Sequence, residues 1–155
     1  MNEAPGRPGP AEGDAWRRLV RMQERLHSRV ARRLQTDSGL SAAECIVLVH
    51  LTEAPGARMR SADLAQAVEW EKSRMSHQIS RMVKRGLAVR VECPEDGRGA
   101  FVVITPQGRD MIASAAPGHV ATVRDLFVDL LTPEELGTLA RVAGRVVEQL
   151  DKRYE

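Results

Sequence analysis

The sequence has few of the features that mark secreted or membrane-spanning proteins. Two cysteines in 155 residues exclude a disulfide-dense secreted scaffold. The longest uncharged stretch after residue 40 covers residues 111–123, which is too short for a membrane span and contains Pro117 and Gly118. The N-terminus lacks a basic segment followed by an apolar run, so we expect no signal peptide. These absences predict a cytoplasmic protein in a reducing compartment.

Patterns of catalytic and metal-binding residues are also missing. The sequence contains no glycine-rich phosphate loop, no nucleophile elbow and no paired carboxylates in an apolar frame. The histidines and cysteines show neither Cys-x-x-Cys nor His-x-x-x-His spacing. We therefore expect no enzyme activity, no metal site and no cofactor.

The charges are unevenly distributed, although the net charge is only +2. Residues 16–33 carry seven arginines against one acid, Glu24, and residues 70–90 carry six basic residues against Glu71. Residues 119–155 reverse the balance, with five basic and seven acidic residues. Two basic segments therefore precede an acidic one, which by itself fits solvated helix faces as well as nucleic-acid contacts.

The first third of the chain predicts an arm and two helices. Residues 1–13 hold three prolines and three glycines, which predicts a disordered arm. Apolar residues then recur at threes and fours over residues 14–38, with arginines opposite, as in a helix. Ser41 and Glu44 form a predicted capping box for a second helix, which is apolar nearly all round and ends before Pro55-Gly56.

The middle of the chain predicts a helix–turn–helix followed by a hairpin. A short helix begins after Ser61, a second runs over about residues 72–84, and Arg85-Gly86 ends it. Leu87, Val89 and Val91 alternate with polar or small residues as in a strand, and residues 101–104 form the returning strand. A helix–turn–helix with an appended hairpin is a winged helix, which we place at residues 39–106.

Residues 107–155 predict further helices. Thr105-Pro106 and Thr132-Pro133 both have the pattern of a helix start, and Glu135 completes a second capping box. Pro117-Gly118 predicts a kink or an interruption. Phe127 and Leu130 are expected to continue the first of these helices. The fold class is therefore mainly α with a small β-hairpin wing.

The helix over residues 72–84 carries the strongest functional signal. At about 100° per residue, Met75, Ile79, Met82 and Val83 form one apolar face. The opposite side and its edges offer only hydrogen-bond donors and cations, with no acid, which suits the base edges of a DNA major groove. The predicted DNA-binding residues are Ser61, Lys72, Ser73, Arg74, Ser76, His77, Gln78, Arg81 and Lys84.

The hairpin tip supplies a second predicted contact. Arg98 lies between two glycines, and an arginine on a narrow loop suits the narrow, negative minor groove. Asp96 is predicted to support the wing by pairing with Arg98. Taken alone, the same residues also fit an ordinary charged turn.

Three motifs in this order resemble the MarR family of winged helix–turn–helix regulators. They are Ser-Arg-Met-Val-Lys-Arg-Gly-Leu-Ala at 80–88, Asp-Gly-Arg at 96–98 and Ile-Thr-Pro-Gln-Gly at 104–108. The resemblance covers the chain from about Asp14. It implies a homodimer held by N- and C-terminal dimerisation helices, here residues 14–38 and 107–155. It also implies a repressor that binds a palindromic operator on double-stranded DNA, with helix 72–84 in the major groove and Arg98 in the minor groove. Small anionic or phenolic ligands are implied to release the repressor from the DNA.

Two alternatives and a ligand site stay open at this point. A winged helix can serve as a protein-binding module, and Cys45 or Cys93 could make the protein a thiol-based redox-sensing repressor. Residues near the apolar stripes of the first two helices are the candidates for an effector cleft: Trp16, His27, Cys45 and His50.

Overall fold

The computed structural model describes residues 9–93, 97 and 99–152, and the chain divides into two compact units. The central unit comprises residues 31–119, and the terminal unit comprises residues 1–30 and 120–155. The elements follow in the order α1 (Pro10–Ser38), α2 (Ala42–Glu53), β1 (Arg58–Arg60), α3 (Ser61–Ala67), α4 (Lys72–Lys84), β2 (Ala88–Val91), β3 (Phe101–Ile104), α5 (Pro106–Leu126) and α6 (Pro133–Asp151), with short 3₁₀ turns at Pro55–Ala57 and Val128–Leu130.

Most helix starts and stops occur where the sequence predicts them. Ser41 and Glu44 form the capping box of α2, and Thr132 and Glu135 form that of α6. α4 ends at Lys84, and Gly86 adopts a φ of +75°, which glycine accepts without strain. Gly86 therefore marks the end of the helix–turn–helix, which consists of α3, the turn and α4.

The Thr-Pro-Gln-Gly motif joins the end of the wing to α5. The Thr105 hydroxyl donates to the Gly86 carbonyl at 2.6 Å and accepts from the Gly108 amide at 3.0 Å. A Cβ atom at Gly108 would lie 2.2 Å from the Leu87 carbonyl oxygen, so only glycine fits there. The motif therefore holds the first turn of α5 against the turn that follows α4.

The core of the central unit lies between α2, α3, α4 and the sheet. α2 buries Val47, Leu48 and Leu51, which confirms that this apolar helix is central. The other large, fully buried side chains come from the α1–α2 connection, α3, α4, the turn after it and β3: Leu40, Leu64, Met75, Ile79, Met82, Leu87 and Val102. One apolar cluster thus supports the inner side of α4 and leaves its other side exposed.

The sheet has three antiparallel strands in the order β1-β3-β2. The hairpin of β2 and β3 is confirmed, but β1 was not predicted, because its three residues include only one apolar side chain. The larger apolar side chains of β2 face outwards. Ala88 is buried whereas Val89 and Val91 are exposed, because Ala88 and Arg90 pair with Ile104 and Val102 on the face turned towards the core.

The helices at both ends of the chain differ from the prediction in three places. α1 begins at Pro10, so the arm predicted for residues 1–13 is wrong for residues 10–13, and residues 1–8 lie outside the described part. α5 runs through Pro117 without interruption. It ends at Leu126 and does not include Phe127 or Leu130. Phe127 precedes the 3₁₀ turn, and Leu130 is the last residue of that turn.

The terminal unit leaves many apolar side chains exposed. α6 has no buried residue, Trp16 of α1 is 64% exposed and Leu130 is 74% exposed. The remaining large exposed apolar residues of this unit are Leu19, Met22, Val120, Val142, Val146, Val147 and Leu150. None of the helices among the described residues is long and apolar enough to cross a membrane.

Candidate nucleic-acid interface

The exposed side of α4 carries cations, small polar residues and His77, with Val83 at its edge. Met75, Ile79 and Met82 are fully buried, which leaves the helix amphipathic. No acidic residue occurs within α4. Seven of the residues predicted to contact DNA are exposed on this helix: Lys72, Ser73, Arg74, Ser76, His77, Arg81 and Lys84. Ser61, which was also predicted to contact DNA, begins α3 and is partly buried.

Two residues of α4 differ from the prediction in their burial. Gln78 was predicted at the edge of the exposed face, but it is only 3% exposed. Val83 was predicted in the buried face and is exposed. Placed at about 100° per residue from Met75, Gln78 lies about 60° away and Val83 about 80° away on the other side. The core centre lies nearer to Gln78, so its angular position, rather than its polarity, decides its burial.

Gln78 is hydrogen-bonded to one of the exposed arginines. Nη2 of Arg81 donates to Oε1 of Gln78 at 2.5 Å. The buried amide therefore holds a guanidinium group that itself lies at the surface. This contact was missed from the sequence, although the i, i+3 spacing of the two residues is the signal that could have found it.

The turn between α3 and α4 supports a second arginine of the exposed face. The Trp70 amide donates to the Ala65 carbonyl at 2.9 Å, and the Trp70 ring packs against the core. The guanidinium carbon of Arg74 lies 4.0 Å from the centroid of that ring, which is a close cation–π contact. Trp70 thus gives Arg74 a fixed platform at the first turn of α4.

The wing is attached to α4 through an arginine of β2. Nη2 of Arg90 donates to the Ser76 carbonyl at 3.1 Å and to the Ser80 hydroxyl at 3.0 Å. Arg90 lies on the same side of β2 as Ala88, and these hydrogen bonds attach the strand to the helix. The wing and α4 are thereby held in one arrangement.

The base of the wing tip is attached to β1. Nη1 of Arg60 donates to the Gly99 carbonyl at 2.8 Å. The guanidinium groups of Arg58 and Arg60 lie 4.6 and 4.3 Å from the centroid of the Phe101 ring. Asp96 and Arg98, the predicted wing residues, lie outside the described residues, and their roles stay predictions.

Comparison with known proteins identifies the family. The model of the MarR family matches residues 38–99. The crystal structure of AbsC, a MarR family transcriptional regulator from Streptomyces coelicolor, is 38% identical in sequence, with a TM-score of 0.87 over 96% of this chain and 99% of that chain. The chain belongs to the MarR family. The family resemblance and the winged helix fold are thereby confirmed, and this MarR-family chain is a DNA-binding transcriptional regulator.

Two further solved structures contain DNA. Sco3205, a MarR family regulator from Streptomyces coelicolor in complex with DNA, is 35% identical, with a TM-score of 0.89 over 96% of this chain and 93% of that chain. A mutant of Escherichia coli MarR complexed with operator DNA is 21% identical, with a TM-score of 0.74 over 84% of this chain and 91% of that chain, and shows the fold alone. No curated protein sequence matches this MarR-family chain.

The four predicted ligand residues of this MarR-family chain divide between its two units. Trp16 and His27 belong to the terminal unit, and Cys45 and His50 belong to the central unit. Cys45 and His50 are five residues apart on α2, which places them about 140° apart around the helix. Cys45 packs against the core, whereas His50 lines an open groove near β1. The structure gives no support to one cleft shared by Cys45 and His50, and the ligand role of all four residues stays a prediction.

The cysteines of this MarR-family chain are both free and partly buried. Burial raises the pKa of the Cys45 thiol, so the reactive thiolate forms less readily than in an exposed cysteine. This environment disfavours the redox-sensing alternative for Cys45. Among the described residues, no group of three or more histidine, cysteine or acidic side chains is placed to hold a metal ion.

Proposed function

We propose that this MarR-family protein is a repressor that binds a palindromic operator as a homodimer. In this proposal α4 enters the major groove, and the wing places Arg98 in the minor groove. The observation that carries the proposal is the exposed face of α4, which presents four cations and several small donors without an acidic residue. Such a face can donate to guanine and adenine and also neutralise phosphates.

Two of the cations on this face are held before any DNA is present. Arg81 is bonded to buried Gln78, and Arg74 is stacked on Trp70. Holding these side chains reduces the conformational entropy that they lose on binding. The hydrogen bonds of Arg90 likewise attach strand β2 of the wing to α4. The arrangement favours a surface that reads bases over one that only attracts phosphates.

The exposed apolar residues of the terminal unit support the homodimer. Exposed apolar patches of this extent mark interaction surfaces in proteins. The groove lined by Met22, Leu26, Phe127 and Leu130 is open in the single chain, and α6 adds Val146 and its neighbours. We assign residues 14–38 and 107–155 to dimerisation and residues 39–106 to DNA binding. Two copies of α4 would then read half-sites about one helical turn, roughly 34 Å, apart.

The effector part of the proposal is release from DNA by a small anionic or phenolic ligand. His50 is the predicted ligand residue with the most suitable surroundings, because it lines a groove together with Arg58, Arg60 and Phe101. The two guanidinium groups, which lie against the Phe101 ring, suit a carboxylate or phenolate. Calorimetric titration with aromatic acids should show binding that His50→Ala weakens. Unchanged binding in that variant would remove His50 from the site.

Selection of duplexes from a random library tests the DNA part of the proposal. The wild-type protein should enrich an inverted repeat, and a footprint on the promoter beside its own gene should contain that repeat. Arg81→Ala should relax the preference at one symmetric pair of positions at a cost of about 1–3 kcal/mol. The control Arg109→Ala removes an exposed charge from α5 and should keep the preference. Failure to enrich any duplex, even in dilute buffer, would contradict the proposal.

A further inference from the structure

Gln78 is the buried polar residue of the helix that we place in the major groove. It lies among Met75, Ile79 and Met82, and its amide oxygen accepts a hydrogen bond from Arg81, which is exposed. We propose that Gln78 determines sequence specificity as a positioning residue that acts through Arg81. The inference rests on the proposed function, because in it Arg81 contacts the bases and Gln78 orients Arg81.

The location of Gln78 makes its contact with Arg81 effective. The packed core restricts the Gln78 side chain to few rotamers, whereas an exposed arginine samples many. A hydrogen bond to a charged donor is stronger than one between neutral groups, and a partly dry environment strengthens it further. The oxygen of Gln78 therefore limits the directions in which the Arg81 guanidinium can extend from α4.

The contact leaves Arg81 able to read a base. A guanidinium group carries five N–H donors, and the bond to Gln78 uses one donor on Nη2. The remaining donors include a pair that can approach O6 and N7 of guanine together. Direct reading of adenine by Gln78 would instead require its amide to leave the core. The geometry therefore favours an indirect role for Gln78 over the direct contact predicted from the sequence.

Gln78→Met and Gln78→Glu separate this role from a structural one. Methionine has a similar length, suits a buried position and lacks the amide oxygen, so Arg81 loses its acceptor. Glutamate keeps an acceptor at the same place. The readout is the ratio of affinities for the selected duplex and for duplexes substituted at single base pairs, together with the melting temperature of each variant.

The expected result is local to one symmetric pair of positions. Gln78→Met should lower discrimination about three- to tenfold at the base pairs where Arg81→Ala relaxes it, and leave the other positions unchanged. The same substitution in an Arg81→Ala background should have no further effect, and Gln78→Glu should keep the discrimination. A merely structural role would instead lower affinity for all duplexes alike and lower the melting temperature.

Several outcomes would overturn the inference. Unchanged discrimination in Gln78→Met is one, and an equal loss in the presence and absence of Arg81 is another. If Gln78→Met does not fold, loss of discrimination in Gln78→Glu would overturn it as well. If the wild-type protein discriminates between duplexes and the Gln78 variants discriminate equally well, the inference fails but the proposed function stands. A wild-type protein that binds no duplex would overturn both.

Discussion

The ion pair between Glu44 and Arg85 connects the end of the proposed recognition helix α4 to the start of α2. Nη1 of Arg85 donates to both carboxylate oxygens of Glu44 at 2.5 Å, and Nη2 donates to the Gly39 carbonyl at 3.3 Å. The Glu44 side chain is 6% exposed, and the same carboxylate accepts from the Ser41 amide in the capping box. Removal of Arg85 would therefore leave a buried carboxylate with only its backbone partner.

The expected cost of Arg85→Ala follows from these exposures. Loss of one partner from a fully buried ion pair costs about 3–5 kcal/mol of unfolding free energy. The Arg85 side chain is 43% exposed, so water reaches its side of the pair and screens the interaction. We expect Arg85→Ala to lower the unfolding free energy by about 2–3 kcal/mol.

Urea denaturation followed by circular dichroism measures this change. All variants must be compared at one protomer concentration, because the stability of a dimer depends on concentration. Arg109→Ala is the control, since it removes an exposed arginine of α5. In a Glu44→Gln background the cost of Arg85→Ala should shrink by about 1 kcal/mol, because the charge that needs compensation is gone.

The reasoning would be refuted by an effect of Arg85→Ala as small as that of the control. Surface substitutions usually change stability by no more than about 0.5 kcal/mol, so the two outcomes are well separated. An unchanged cost in the Glu44→Gln background would show instead that the packing of Arg85, and not its charge, stabilises the junction.

Three further predictions concern the dimer, the wing and the cysteines. Val146→Asp with Leu150→Asp should convert the dimer to monomers in analytical ultracentrifugation, because a dimer would bury these charges, and an unchanged mass would refute the role of α6. Arg98→Ala should weaken binding across all duplexes and reduce the slope of log K against log salt by about 1, since one fewer protein cation displaces counterions from the DNA; a retained slope would contradict the wing contact. Because burial raises the pKa of the Cys45 thiol, iodoacetamide should modify Cys45 more slowly than an exposed thiol near pH 8, with a rate that still increases at higher pH; a fast, pH-independent reaction would contradict this.

The helices could be predicted from the sequence because their signals are local. Ser41 and Thr132 each mark a helix start through a capping box, and Gly86 ends α4 because it tolerates a positive φ. The two faces of α4 were also largely predictable, since the period of 3.6 residues separates buried from exposed positions. Local signals of this kind need no knowledge of the rest of the fold.

The errors arise where tertiary contacts outweigh local patterns. Gln78 is buried because the core lies on its side of α4, and its partner Arg81 makes that burial acceptable. Val89 and Val91 face outwards because the register with β3 turns Ala88 and Arg90 inwards. β1 is too short to show a period and exists because β3 offers it an edge. The position of the core around α4 and the pairing with β3 cannot be read from the segments concerned.

Methylation interference on the selected operator tests the central claim most directly. Dimethyl sulfate methylates N7 of guanine in the major groove and N3 of adenine in the minor groove. If α4 reads the major groove from two subunits, N7 methylation should block binding in two half-sites whose centres lie about 10 base pairs apart. Binding that no guanine N7 methylation disturbs would contradict the account.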